Sequence, residues 1–512
     1  MPQRLLLKGK ALENAIIGTC SIGFALLGFD SGVFGSVSTD PRFLEQFNVA
    51  SADKSSLLSF IVSIYLLGCL AGALFMANYG ERLGRRKVIA LGAVTIAVGG
   101  ALQATSFVLA HMLVARVVTG VGIGFATTAL PVYQAECLPA HRRGRAQCFN
   151  LTMLIGLGIN VAYWMGYGTY YVTSSFSWRF LLAFQSVYCV VLLVGIWLLP
   201  ESPRWLASHS RPLEAFEVLV ALRSDRYPQD EILAEHEDVK IALKLEEEAG
   251  TAAWGELFKN QPGQQTLHRV WIGIAAQAMQ EFSGANAIIY YASYIFQNSL
   301  KLDRVDSLLV SGGLQIFFCL ASLVPWYYID RAGRRKLFIV SAAGMAACLL
   351  ISAGCVYHIG SVAVGVVASI SLYIFQAFFT LGFMANLWLY APELLPLRHR
   401  ARGNALACAS QWLTTFAVVE WTPPLINKIG AGIYILFAAF NLIAIPIIYL
   451  FFPETAGKSL EEVDGYFEEA NLRLAVKESI RRHKMPNKHL TALTVSTAAD
   501  VRLDPMKEAG KV

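Results

Sequence analysis

Hydrophobic residues in this chain fall in long runs rather than in the alternating or every-third-position patterns of water-soluble elements. Runs long enough to cross a bilayer, roughly 17–25 residues each, lie near 12–36, 55–77, 88–106, 109–131, 146–168 and 178–199, and again near 270–298, 307–329, 337–357, 362–390, 404–426 and 432–452. The polar stretch between the sixth and seventh runs, 200–268, is rich in Glu, Lys and Arg, and its segment Asp230 to Glu248 has helical patterning. The pattern predicts an all-α membrane protein with twelve transmembrane helices in two six-helix bundles, 1–199 and 269–452, joined by a linker with short helices. A polar tail, 453–512, follows, with a short helix near 459–476 and a solvated basic run from Lys477 to Lys484.

Composition supports the membrane assignment. Apolar residues make up 55% of the chain and charged residues 15%, against roughly 25% charged in soluble proteins. The amino terminus carries no cleavage signal, so the first span is expected to be retained. The cysteines are scattered singly, most of them in apolar runs (Cys20, Cys69, Cys189, Cys319), and read as small hydrophobes rather than metal ligands or disulfide partners. Basic residues gather in alternate loops: Arg82, Arg85, Arg86 and Lys87; Arg142, Arg143 and Arg145; Arg331, Arg334, Arg335 and Lys336; Arg398, Arg400 and Arg402. By the positive-inside rule these loops and both termini are cytoplasmic.

The two halves repeat each other. Gly80-Glu-Arg-Leu-Gly-Arg-Arg-Lys87 recurs as Asp330-Arg-Ala-Gly-Arg-Arg-Lys336, Glu136 with Arg143 recurs as Glu393 with Arg400, and Pro200-Glu-Ser recurs as Pro453-Glu-Thr. The three motifs keep their order at an offset of about 250 residues, which indicates a duplicated six-span unit. Duplication with charged loops at the hinges points to a transporter.

Polar residues inside the apolar runs mark where a ligand passes, because unsatisfied polar groups in hydrocarbon are costly. The densest group is Gln277-Ala-Met-Gln-Glu-Phe-Ser-Gly-Ala-Asn286, followed by Tyr290 and Tyr291. Amides both donate and accept, matching hydroxyl groups, and aromatic faces pack against C–H surfaces. Asp30 in the first span and Arg116 in the fourth should pair, since either charge alone at that depth is expensive. Glu420 is a further intramembrane carboxylate, read either as a second protonation site or as a group hydrogen-bonded to a neighbouring helix.

The paired Gly-Arg-Arg loops, Pro200-Glu-Ser-Pro-Arg-Trp-Leu206, Arg116 with Thr119-Gly-Val-Gly-Ile-Gly124, the Gln-x-x-Gln-x-x-Ser-Gly-x-Asn stretch and Pro453-Glu-Thr-x-Gly-Lys-Ser-Leu460 together resemble the sugar porter family of the major facilitator superfamily, over about residues 15–465. That resemblance implies alternating access about a central site and proton coupling through Asp30 with Arg116. It also implies a substrate site formed by Gln277, Gln280, Glu281, Asn286, Tyr290, Tyr291, Trp388, Gln411 and Trp412. Arg85, Arg86, Glu136, Arg143, Arg334, Arg335, Glu393 and Arg400 resemble the family's cytoplasmic gate, whose ion pairs would hold the halves together on the inside while the outside is open.

Several positions depart from the family pattern. Glu281 stands where a second glutamine is usual, Leu151 replaces a fifth-span glutamine, Phe318 an eighth-span asparagine, and Gln411 an asparagine. Hydroxyl-binding positions have thus become apolar or acidic, which puts a standard glucose carrier in doubt.

Other signals carry no site. Gly457-Lys-Ser459 lacks the first glycine of a phosphate loop, Gly120-x-Gly-x-Gly124 lies in a predicted span where small residues allow close helix contact, and the sequon at Asn150 falls inside the fifth span. The chain is therefore expected to be no enzyme, to use no cofactor or metal and to bind no nucleic acid. It should work as a monomer in the plasma-membrane bilayer, moving a sugar or sugar-like polyol with H+. The alternatives are a carrier of a non-sugar metabolite such as a cyclic acid, and a nutrient sensor that binds without transporting.

Overall fold

The computed structural model describes residues 7–480 apart from 251–252, 261–263, 326–331, 359, 385, 457, 459, 468–475 and 478. Asp330 and Arg331, Gly457 and Ser459, and the basic run from Arg481 onward lie outside the described residues.

The chain folds into two halves of six membrane-spanning segments each, joined by a linker of short helices. In the first half, α1 spans Gly9–Val37, a short α2 Pro41–Gln46, α3 Ser55–Leu83, α4 Arg85–Ala104 and α5 Leu109–Cys137. The fifth span is made of α6 (Ala140–Phe149), a π turn at Asn150–Leu154 and α7 (Ile155–Tyr170), and the sixth is α8 (Phe176–Leu198). The linker holds α9 (Pro203–Ser208), α10 (Pro212–Arg223) and α11 (Gln229–Ala249), the last over the stretch with helical patterning. In the second half the seventh span is split into α12 (Thr266–Phe282) and α13 (Ala285–Asn298), followed by α14 (Arg304–Ala321) and α15 (Arg334–Tyr357). The tenth span runs through α16 (Val362–Phe379), a π turn at Thr380–Met384 and α17 (Asn386–Leu394). The last two spans are α18 (Leu397–Ile429) and α19 (Gly432–Phe451), and in the tail α20 covers Leu460–Tyr466, while residues 468–475 of the helix expected there lie outside the described residues.

Nine of the described helices are long and apolar enough to cross a membrane by length and composition alone. The fifth, seventh and eleventh spans are not among them, and each has a physical reason. The fifth and seventh are interrupted, while α18 carries Arg398, Arg400, Gln411 and Glu420. These three spans also line the space between the halves, so the polarity that weakens their hydropathy serves an interior surface rather than lipid.

Close packing explains the glycine pattern of the fourth span. A Cβ on Gly120 would sit 2.0 Å from the carbonyl oxygen of Tyr65, and one on Gly68 would sit 2.5 Å from that of Val117, so α3 and α5 touch backbone to backbone. The sequon asparagine is fully buried: Asn150 Oδ1 accepts from Ser21 Oγ at 2.9 Å and its Nδ2 donates to Gln134 Oε1 at 3.0 Å. The linker is tied to the first half by a buried cluster in which Glu13 meets Arg223 at 3.1 Å and Arg142 at 2.6 Å. In the second half Arg269 pairs with Asp464 of α20.

Candidate functional site

The repeated motifs build the same arrangement twice at the end of the molecule that carries the Gly-Arg-Arg loops. In the first half Arg85 Nη2 meets Glu136 Oε1 at 3.0 Å, Ser202 Oγ donates to Glu136 Oε2 at 2.6 Å, and Glu201 accepts from the Arg86 backbone N–H at 3.2 Å. In the second, Arg334 Nη2 meets Glu393 Oε1 at 3.2 Å, Thr455 Oγ1 donates to Glu393 Oε2 at 2.7 Å, and Glu454 accepts from the Arg334 and Arg335 N–H groups at 2.8 and 3.1 Å. Glu201 and Glu454 therefore satisfy the free amides at the starts of α4 and α15, where a negative charge is favoured. Burial raises the Glu201 carboxyl above the ordinary glutamate range, against the lowering effect of the Ser202 and Arg86 amides. The cations close the other ends: Arg86 donates to the carbonyls of Ile196 and Trp197, and Arg335 to that of Tyr449.

The described pairs Arg85–Glu136 and Arg334–Glu393 run within each half, not between the halves. Arg143 is exposed, and Arg400 Nε donates to the carbonyl of Leu395 in its own half.

Polar contacts between the halves gather at the opposite end. Ser63 Oγ on α3 donates to Glu420 Oε2 on α18 at 2.6 Å, the hydroxyls of Tyr65 and Tyr290 touch, Tyr163 OH donates to the carbonyl of Ile289 at 2.8 Å, and Arg304 meets Asp40 at 3.3 Å. Glu420 thus takes the helix-bridging role, and its partner comes from the other half.

A cavity lies between the halves. Its second-half wall carries the amides Gln280 from α12, Asn286 from the first turn of α13 and Gln411 from α18, with Thr415, Trp388 and Trp412, set among Ile289, Phe318, Phe379 and Met384. The first half contributes Asp30, Ser31, Tyr65 and Thr127 within a larger apolar surface that includes Leu151, Ile155 and Ile159. Leu151 and Phe318 both line the cavity, so two positions where the resemblance leads one to expect amides present hydrocarbon instead. Among the described residues lining it there is no Lys, Arg or His. Gln280 Oε1, Gln411 Oε1 and both carboxylate oxygens of Asp30 are buried without a hydrogen-bond donor in the described protein. Buried acceptors of this kind are the signature of a place where something else donates.

The seventh span is broken so that its polar residues reach this wall. Gly284 has φ +91° and a Cβ there would lie 2.8 Å from the Phe437 ring, a conformation and a space that suit glycine alone. The freed backbone is satisfied locally: Asn441 Nδ2 from α19 donates to the Ser283 carbonyl at 2.9 Å, and Ser283 Oγ accepts from the Ala285 N–H at 3.3 Å. Across the break Asn286 Nδ2 donates to Glu281 Oε2.

The break also corrects the set of wall residues. Gln280, Asn286, Tyr290, Trp388, Gln411 and Trp412 face the cavity, whereas Gln277, Glu281 and Tyr291 are buried behind it. Ser31, Tyr65, Thr127 and Thr415 are wall residues that sequence reasoning passed over. Thr415 follows Gln411 by one helical turn and shares its face, a signal that was present in the spacing. Ser31 beside Asp30, Thr127 beside Thr128, and Tyr65 in its apolar run carry no such helical spacing to another polar wall residue.

Asp30 and Arg116 meet, at 3.8 Å between Oδ1 and Nη1, both fully buried. The guanidinium is held independently of the acid: Nε and Nη2 donate to the carbonyls of Ile61 and Val62 at 3.2 and 2.6 Å, and the group lies 4.2 Å from the Phe34 ring centre and 4.1 Å from that of Tyr65. Asp30 is therefore drawn to a fixed cation without being hydrogen-bonded to it, and its oxygens accept no hydrogen bond from the described protein.

Residues 16–467 match the family model described as Sugar (and other) transporter. The chain is 36% identical over 477 residues to the sugar transporter STL1 of Saccharomyces cerevisiae, covering 91% of this chain and 83% of that protein. It is 32% identical over 481 residues to the major facilitator superfamily transporter mfsA of Aspergillus fumigatus, covering 91% and 88%. The partially occluded, inward-open structure of the xylose transporter XylE from E. coli superposes with a TM-score of 0.75 at 24% identity, over 88% of this chain and 100% of that one. The proton:xylose symporter XylE bound to 6-bromo-6-deoxy-D-glucose gives a TM-score of 0.74 at 25% identity, over 90% and 100%.

Proposed function

Because the chain belongs to the sugar porter family of the major facilitator superfamily, we propose that it is a proton-coupled carrier of a neutral sugar or sugar-like polyol, working by alternating access. The observation that carries this reading is the cavity itself: an amide-rich wall opposite an unbonded Asp30, with no cationic side chain among its described lining residues. Amides and a hydroxyl suit hydroxyl groups. An anionic substrate would meet Asp30 with no cation to receive it, since Arg116 is absent from the wall and is already bonded to two carbonyls and two rings.

Asp30 is the proton carrier in this reading. Protonated, it lies 3.8 Å from Arg116 without a charge to hold; ionised, it is attracted to it, so proton binding alters the packing of α1 against α5. The named proton symport of XylE supports this role. The positive-inside rule supports a cytoplasmic position for the Gly-Arg-Arg loops and both termini. With that orientation the contacts Ser63–Glu420 and Tyr65–Tyr290 close the outer end, and Arg85–Glu136 and Arg334–Glu393 brace each half at the inner end.

A second reading is favoured by Leu151 and Phe318: the substrate is neutral but carries fewer hydroxyls than a hexose. Uptake of labelled hexoses, pentoses, linear polyols and a cyclic hydroxy acid in a carrier-null host, with and without a protonophore, tests both. Protonophore-sensitive accumulation of a neutral polyhydroxy compound is expected. Accumulation of the acid alone contradicts the proposal, and so does binding without any transport.

A further inference from the structure

Glu281 stands behind Asn286 rather than on the cavity wall, and the geometry joins the two. Residues five apart on an unbroken helix point about 140° away from each other. The left-handed Gly284 removes that constraint, so the Asn286 amide turns back and its Nδ2 donates to Glu281 Oε2. Glu281 is fully buried, flanked by the side chains of Gln411 and Thr415, which themselves line the cavity.

In its ionised form Glu281 accepts hydrogen bonds and has none to give, so it then dictates which end of the asparagine amide it meets. The NH2 group must face Glu281, and the carbonyl oxygen Oδ1 is left for the cavity, which Asn286 lines. A glutamine at 281 would impose no such choice, because its own amide can donate or accept. The acidic residue therefore converts a two-way hydrogen-bonding group into a one-way acceptor.

We propose that Glu281 is a positioning residue that fixes Asn286 as an acceptor, so that the substrate must donate a hydroxyl hydrogen at that point of the site. This rests on the reading of the cavity as a polyol or sugar site and adds a polarity requirement to it. With Gln280 Oε1, Gln411 Oε1 and Asp30 also presenting acceptors that lack protein donors, the site selects ligands by their donors.

The test compares analogues that differ only in donation. Competition by D-xylose, xylitol and D-glucose against uptake in carrier-null cells selects the probe this chain takes. Monodeoxy and monodeoxyfluoro forms of that probe are then measured on wild type, Asn286→Ala and Glu281→Gln. The hydroxyl facing residue 286 is the one whose removal costs affinity in wild type but not in Asn286→Ala. At that hydroxyl the wild type should reject the fluoro form as strongly as the deoxy form, by about 10-fold or more, because fluorine cannot donate. Glu281→Gln should bring the fluoro form back to within about 3-fold of the parent and leave the penalties at other hydroxyls unchanged. A wild type that tolerates fluorine at that hydroxyl while rejecting the deoxy form overturns the proposal. A Glu281→Gln variant whose penalties stay fixed, or move together at every hydroxyl as a purely structural change would make them, also overturns it. So does the absence of any hydroxyl relieved by Asn286→Ala. If Glu281→Gln does not reach the membrane, the comparison of wild type with Asn286→Ala decides. Failure of all three compounds to compete overturns the sugar reading and this inference with it, and is distinct because no penalty can then be measured.

Discussion

Ser63 on α3 and Glu420 on α18 share a hydrogen bond of 2.6 Å that joins the two halves at the end remote from the Gly-Arg-Arg loops. The two helices also pack against each other along the seam between the halves, and opening the cavity toward that end breaks this bond together with that packing. Ser63→Ala removes one donor from the Glu420 carboxylate, the one that reaches it at 2.6 Å, with Ser59 of the same helix the second. At about 1–2 kcal/mol this is a roughly 5- to 30-fold shift toward the conformation open at that end. Spin labels at the exposed positions Ser51 and Lys301, one on each half, report it as a larger population of long distances. An unchanged distance distribution would show that the bond does not hold the halves together.

The break in the seventh span depends on Asn441 as much as on Gly284. Asn441→Ala leaves the buried Ser283 carbonyl without its donor at 2.9 Å, a cost of about 1–3 kcal/mol. The purified variant should melt at a lower temperature than wild type, and the probe should protect it less. Equal melting temperatures would mean that the break is held by its own backbone.

Leu151 and Phe318 make the cavity poorer in hydroxyl partners than the family pattern implies. Combining Leu151→Gln with Phe318→Asn restores two amides, each contributing about 0.5–1.5 kcal/mol where it meets a hydroxyl. Competition by D-glucose should strengthen by at least about 3-fold. Unaltered or weaker competition would show that these positions do not set the hexose preference.

Much of this organisation was legible in the chain. Long apolar runs located the spans, and the common offset of the Gly-Arg-Arg, Glu-x-x-Pro and Pro-Glu motifs anticipated a contact set that the fold does build twice, down to Tyr133 OH on the Pro200 carbonyl at 2.7 Å and Tyr390 OH on that of Pro453 at 2.8 Å. The pairing of Asp30 with Arg116 followed from the cost of lone charges in hydrocarbon. What was not legible depends on rotation and on conformation. Spacing along a continuous helix does not tell that Gly284 turns Asn286 back onto Glu281 and leaves the acid behind the wall. Nor do charges near helix ends tell whether Arg85 and Arg334 meet acids in their own half or in the other one, because that choice changes with the state of the carrier.

The central claim is that Asp30 couples substrate movement to protons. Replacing it by asparagine keeps its size and its place beside Arg116 but removes the exchangeable charge. The direct measurement is uptake of the selected probe into proteoliposomes under an imposed proton gradient, alongside exchange of the same probe without a gradient. Wild type should accumulate the probe above equilibrium and lose that accumulation when a protonophore is added, while Asp30→Asn should exchange the probe yet never exceed equilibrium. Full gradient-driven accumulation by Asp30→Asn, or wild-type uptake that stops at equilibrium, would contradict the account.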